Sequence, residues 1–315
     1  MRRLLLLFPL LLAALAGGCG STGVPVAPSP SEPSGPASGA PRTAPTPSPR
    51  VGAGAEDLVS AVPVPSEEPA PSVAKEAPAP VDTVVPDAGD GELTSLEGDT
   101  RNQIVWAPLA NPSAVSLEGS VSRYQAWSTS KVLVVAAYLD TVVDGDPARI
   151  PDTERAWIQA ALTRSDGDAV VAVRGRIPGS PGAAITAVLR SVGDVTTVAP
   201  DLSQGTMWWS PREQVRFMAA LANGQVVSPA ASAWLLAQMQ PIPQHRWGLG
   251  RIGASAFKGG WLTSTSETRQ MGIVGGYAVA IITVGEGPAV VQTDGDWAHV
   301  QQMDRLAGLL ARRLG

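Results

Sequence analysis

The chain has 315 residues and a net charge of −5; all 9 tryptophans lie beyond residue 100, while 16 of the 29 prolines fall within residues 20–100. A segment without Phe, Tyr or Trp and rich in Pro, Ala, Ser and Gly cannot bury enough apolar surface to offset its ordering entropy, so the length reads as one globular unit, 101–315, behind a disordered tether. A single cysteine, Cys19, excludes a disulfide scaffold, and a continuous apolar run confined to the N-terminus excludes a polytopic membrane protein.

Charge divides unevenly along the chain. Residues 20–100 carry 3 basic and 12 acidic side chains, and residues 101–315 carry 18 and 16. The acidic balance therefore belongs to the tether, and the near-neutral globular part gives no electrostatic footprint for nucleic acid. The first element in chain order is an export signal. Arg2 and Arg3 precede the apolar stretch Leu4–Leu15, which has about the length of a signal core and is too short to span a bilayer. Ala16, Gly17 and Gly18 then lead to Cys19. This arrangement resembles a bacterial lipoprotein signal, although Leu15 stands one position further from the cysteine than that pattern has it. The resemblance implies a signal peptide over 1–19, lipidation of Cys19 and attachment to the outer face of the plasma membrane. An ordinary cleaved signal is the alternative. The tether, 20–100, would reach on the order of 250 Å if fully polyproline II, at about 3.1 Å per residue. Such a stalk lifts a domain away from the membrane and into the cell wall.

In the globular part, Gln103–Pro108 and Val115–Glu118 read as short strands joined by a turn at Asn111-Pro112. The apolar spacing of Val132, Val135, Ala136 and Leu139 predicts a helix from Ser128 to about Val143. Further helices are expected over Asp152–Thr163, Asp168–Arg174 and Pro181–Ser191. Ser210-Pro211-Arg212-Glu213 combines an N-cap serine, a proline at the first helical position and a glutamate at the third, which starts another helix. Ser228-Pro229 starts the next. The period then changes, and Ser255–Trp261, Glu267–Val274 and Tyr277–Val284 read as strands before a C-terminal helix from Trp297 to Arg313. Strands at both ends with helices between them predict an α+β fold: one antiparallel sheet of N- and C-terminal strands with a helical insert. Tyr277–Val284 and Gln103–Pro108 are expected to be neighbours.

Three motifs stand in an informative order: Ser128-Thr129-Ser130-Lys131 at the start of an apolar helix, Ser165-Asp166-Gly167 after the second helix, and Lys258-Gly259-Gly260 on the first strand after the insert. The set resembles the signature of the penicillin-recognising serine enzymes, the class A β-lactamases and DD-peptidases. The likeness extends to Lys131-Val132-Leu133, to Trp209-Ser210-Pro211-Arg212 and to Arg269, and covers nearly all of 101–315 in order. The globular part holds only 2 lysines against 16 arginines, and both lysines fall in these motifs. Arginine serves where a fixed charge suffices; lysine is needed where the group must lose its proton or fit a tight site.

Ser128 at a helix N-terminus meets free N–H groups and the positive end of the helix dipole, which favour a developing oxyanion. Lys131 lies on the same helical face, within reach of Ser128, and desolvation beside Lys258 would lower its pKa enough for it to act as base. The resemblance implies that Ser165 relays a proton to the leaving amine and that Lys258 fixes Ser165 and a substrate carboxylate. It further implies substrate contacts from Asp166, Gly260, Trp261 and Arg269, with an oxyanion hole at Ser128 and near Trp261. Two positions depart from the family. Gly167 replaces the asparagine that orients a substrate amide, and Asp168 cannot donate that bond when ionised. Ala199 stands where the deacylating glutamate is usual, leaving Asp201 as the nearest carboxylate.

The remaining signals are weaker. Gly248-Leu249-Gly250-Arg251-Ile252-Gly253 matches a dinucleotide pattern but follows Pro241 and Pro243 and precedes a strand, so it reads as chance. His245 and His299 have no second ligand at metal spacing, and no metal or cofactor is expected. Trp127, Trp208, Trp209 and Trp261 flank the motifs, either as core or as the wall of a groove. Two functions remain open: a lipid-anchored serine hydrolase or acyltransferase acting on wall peptide or a β-lactam, and a weakened relative that binds wall material or a protein partner.

Overall fold

A computed structural model of the chain describes residues 92–261, 266–285 and 297–315. The export signal, Cys19 and the tether up to residue 91 lie outside the described residues.

Five strands form one antiparallel sheet: β1 (Asn102–Pro108), β2 (Ser116–Gly119), β3 (Ala256–Trp261), β4 (Glu267–Val274) and β5 (Tyr277–Val284), in the order β2-β1-β5-β4-β3. The first and last strands of the chain meet in register, Gln103 opposite Ile282 and Val105 opposite Ala280. The sheet closes this way because β1 and β5 each bury two faces. Val105 and Ala107 join Ala278 and Ala280 in the larger core, while Ile104 joins Val279 and Ile281 in the second. Side chains alternate across a strand, so alternating membership places one core on each side of the sheet.

The helices are α1 (Ser130–Thr141), α2 (Asp152–Thr163), α3 (Gly167–Arg174), α4 (Pro181–Ser191), α5 (Pro211–Ala222), α6 (Pro229–Gln238) and α7 (Trp297–Leu314). α7 supplies Met303, Leu306, Ala307 and Leu310 to the second core. α1 is buried on every side from Ser130 to Leu139, as expected of a helix with no polar face. Its start differs from the sequence expectation: Trp127–Thr129 form a 3-10 turn, and the α-helix begins at Ser130. The expected caps on α5 and α6 form: Ser210 accepts from the Glu213 N–H at 3.2 Å and Ser228 from the Ala231 N–H at 3.0 Å.

The packed body begins ahead of Arg101. Leu96 is buried in the second core with Leu93 against it. Composition misses these residues because two leucines in an otherwise polar stretch do not change its average.

The glycine-rich stretch 248–253 forms a 3-10 turn, Gly248–Ile252, ahead of β3. At Gly248, φ is +58° and an added Cβ would stand 2.2 Å from Gln270 Oε1, so the glycine serves this turn.

Candidate functional site

The three motifs converge at the edge of the sheet. Lys131 Nζ donates to Ser128 Oγ at 2.6 Å. Lys258 Nζ donates to Ser165 Oγ at 2.5 Å and to the Gly259 carbonyl at 2.8 Å. Both lysines are buried, Lys131 at 8% exposure and Lys258 at 2%. Burial pushes the Lys131 amine down to about 8, against the opposing pull of the Asp166 carboxylate. Lys258 lies well below the usual lysine range, first through burial and then through the charge of Lys131. The result is two coupled amines, each bonded to one serine hydroxyl.

The backbone is bent to make this possible. Trp127 has φ +43° and Ser165 φ +62°, the left-handed region that bulky residues avoid. The turn at Trp127 presents Ser128 just before α1, and the turn at Ser165 brings its hydroxyl to Lys258. β3 lies close against the first turn: a Cβ on Gly260 would stand 2.9 Å from the Ala126 carbonyl and 3.0 Å from the Ser128 nitrogen. Only glycine lets the strand approach there. Trp261 follows on the strand, its ring edge-on to His245 and Trp247 at 5.0 and 5.9 Å between centroids. His245 is buried, and burial, then the charge of Lys258, holds it at about 4, so it is neutral at pH 7.

A cleft of about 450 Å³ opens beside Ser128, with Trp127, Lys131 and Trp261 in its wall. The loop before α5 closes its far side with Leu202, Ser203, Gln204 and Gly205. That loop is fastened to the segment leading to Ser128: Ala126 N–H donates to Met207 O at 2.9 Å and Trp209 N–H to Tyr124 O at 3.1 Å. Trp209 is core, whereas Trp208 is exposed and stacks edge-on with Tyr124.

Not every expected site residue reaches the cleft. Arg269 sits opposite Gly260 on β4 but is 1% exposed. It donates to Glu267 at 2.9 Å and to the Gln125 carbonyl, and lies 6.0 Å from the Trp127 ring. Its charge is neutralised by Glu267, so it faces this pair in place of a substrate carboxylate. Asp201 is turned away as well. Its Oδ1 accepts from Ser180 Oγ at 2.5 Å and from the Gly182 N–H at 2.9 Å, which holds the carboxyl below its ordinary range. Asp201 thereby caps α4, and a base for water is not placed by it. Ala199 is buried, and its N–H donates to Thr186 at 3.0 Å. Asp166 accepts from the Ala169 N–H at 2.9 Å and caps α3, while Gly167 and Asp168 are exposed in its first turn. Among the described residues lining the cleft there is no Asp or Glu.

Glu267 and Gln204 carry structure that the sequence did not signal. Glu267 accepts from Trp127 Nε1 at 3.2 Å and from Arg269, and pairs by charge with Arg123. Arg269, two residues on along the same strand face, is legible as its partner, but Arg123 and Trp127 reach it only through packing. Among the described residues no cluster of His, Cys, Asp or Glu is arranged to hold a metal ion.

The architecture is the β-lactamase/transpeptidase-like fold. The chain is similar to the chromosome-encoded β-lactamase of Vibrio parahaemolyticus, at 16% identity and TM-score 0.53 over 68% of this chain and 93% of that one. It is similar to a variant of the last common ancestor of Gram-negative bacteria class A β-lactamase, at 20% identity and TM-score 0.51, covering 69% and 94%. The TLA-3 extended-spectrum β-lactamase aligns at 14% identity and TM-score 0.51, covering 69% and 94%. At these identities the likeness defines the fold alone. No family model and no curated protein matches the chain.

Proposed function

We propose that the chain is an extracytoplasmic serine hydrolase or acyltransferase that forms an acyl-enzyme at Ser128 with a β-lactam or a wall peptide and releases it slowly. The observation that carries this reading is the 2.6 Å bond between Lys131 and Ser128, with the amine lowered to about 8. A buried amine near that value accepts the Ser128 proton as Oγ attacks the carbonyl carbon. The oxyanion forms against the N–H groups of Ser128 and Trp261. As the C–N bond breaks, Ser165 gives its proton to the leaving nitrogen and regains one from the Lys131 ammonium, while Lys258 steadies the Ser165 oxygen.

Release is the weak step. With Ala199 at the position expected for a base and Asp201 committed to α4, water has no carboxylate beside it among the lining residues. Losing a general base costs roughly 10²–10⁴ in rate. The same observation favours a second reading, a weakened relative that retains its acyl group or only binds its ligand. In either reading, the export signal and Cys19 would place the domain outside the plasma membrane on a lipid anchor.

Incubation with a fluorescent penicillin followed by intact mass measurement separates these readings. The wild type is expected to gain one covalent adduct that Ser128→Ala lacks, and nitrocefin is expected to give a burst with little steady hydrolysis. No adduct on the wild type would leave the binding reading alone, and fast steady turnover would overturn slow release.

A further inference from the structure

Acylation at Ser128 leaves one charged group of the cleft without a task. Arg174, the last residue of α3, lines the cleft with Val134, Val170, Val171 and Leu202. Its Nη1 donates to Gln204 Oε1 at 3.2 Å. Gln204 is buried, and its Nε2 donates to the Pro200 carbonyl at 3.0 Å and the Asp201 carbonyl at 2.7 Å. With the amide nitrogen committed to two carbonyls, the amide oxygen is held toward Arg174, because a flip would forfeit all three bonds. The guanidinium is thus set in an apolar wall by a buried side chain, and this bond uses one of its five N–H donors.

Position adds to this. Ser165, bonded to Lys258, precedes the N-terminal end of α3, and Arg174 closes the other end. A helix of 8 residues is roughly 12 Å long. Ser165 with Lys258 and Arg174 therefore flank α3 at opposite ends, and Ser128 opens on the same cleft as Arg174. Val134, Val170, Val171 and Leu202 make an aliphatic part of the cleft wall beside Arg174. A planar guanidinium in such a wall, with no lining carboxylate to neutralise it, matches the two oxygens of a ligand carboxylate.

We propose that the cleft selects an acyl donor with two anionic groups joined by an apolar segment, the second anion being a carboxylate held by Arg174. The proposal rests on the acylation reading for its chemistry and adds the choice of donor. One carboxylate lies toward Lys258 and Ser165, the apolar segment packs on Val170, Val171 and Leu202, and the other carboxylate meets Arg174. Arg174 is then the specificity-determining residue and Gln204 its positioning residue.

Benzylpenicillin and carbenicillin test this, since they share the nucleus and the phenyl ring and differ by one side-chain carboxylate. Second-order acylation rate constants, read by intact mass, are expected to favour carbenicillin in the wild type. Arg174→Gln is expected to slow carbenicillin by about tenfold or more, the scale of one lost charged hydrogen bond, and to leave benzylpenicillin nearly unchanged. Arg174→Lys should recover part of the loss, and the benzylpenicillin rate reports whether each variant is folded. Equal wild-type rates, or an equal loss for both donors in Arg174→Gln, would overturn the proposal. If neither compound leaves an adduct, the acylation reading fails, and selectivity is read from quenching of tryptophan emission. Tighter binding of carbenicillin that Arg174→Gln abolishes would uphold the anion site; equal affinities, or no quenching by either, would overturn it.

Discussion

Lys131 and Lys258 show how one residue type acquires two roles from its surroundings. Both are buried beside a serine, but Lys131 keeps the Asp166 charge in reach and titrates at about 8, whereas Lys258 meets only burial and a second cation. On the proposed mechanism Lys131 takes the Ser128 proton only when neutral, so the acylation rate constant should rise with pH through about 8 and level off above it. A stopped-flow series with a chromogenic cephalosporin from pH 6 to pH 9.5 measures this, and Lys131→Ala should remove the rise together with most of the rate. Glu267 is the second residue with a consequence larger than its sequence context suggests. It is fully buried and joins Arg269, Arg123 and the indole of Trp127, whose backbone is held at φ +43° just before Ser128. Glu267→Gln leaves the Arg269 charge uncompensated, which costs about 3–5 kcal/mol for a broken buried pair. Urea unfolding should show that loss. Acylation should fall further than stability explains, because Trp127 and Ser128 lose their brace.

Among the elements, β3 and the loop before α5 have opposite relations to the site. β3 brings its backbone against the turn that holds Ser128, and the approach is closed to any side chain at Gly260. Gly260→Ala should force strand and turn apart at a cost of about 1–3 kcal/mol for overpacking. Circular dichroism should report an unchanged secondary structure while the acylation rate drops by about tenfold or more, since displaced oxyanion donors typically cost that much. The loop before α5 is held by side chains instead. Asp201 is tied to α4, Gln204 to its own carbonyls, and Gly205 packs on the Trp127 backbone, where an added Cβ would stand 3.2 Å from Cα. A loop fixed at three points forms a wall, and its carboxylate serves that wall.

At the scale of the whole molecule, a near-neutral folded body follows an acidic proline-rich segment and an apolar stretch expected to act as a leader. The leader and Cys19 carry the expectation of a lipid anchor. Cys19→Ser should shift the protein from the membrane fraction to the soluble fraction on detergent-free fractionation; unchanged membrane retention would remove lipidation from the account. The folded body itself was largely legible in the sequence. Strand boundaries at β4 and β5, the capped starts of α5 and α6 and the meeting of the first and last strands depend on local pattern and alternation, which the sequence displays directly.

The sequence by itself brought Ser128, Lys131, Ser165 and Lys258 together, because the order of the three motifs resembles that of the penicillin-recognising serine enzymes and lysine is otherwise absent from 101–315. Tertiary structure alone decided which charges are free to act. Arg269 finds Glu267 and the Gln125 carbonyl, Asp201 finds Ser180, and Gln204 turns Arg174 to the cleft. Apart from Glu267, two residues from Arg269 on the same strand face, these partners are 21 to 144 residues apart and meet only by packing, so no local spacing announces them. A charge at a family position reads the same in sequence whether it faces a ligand or a buried counter-ion, and only the surrounding dielectric and the nearest opposite charge distinguish the two.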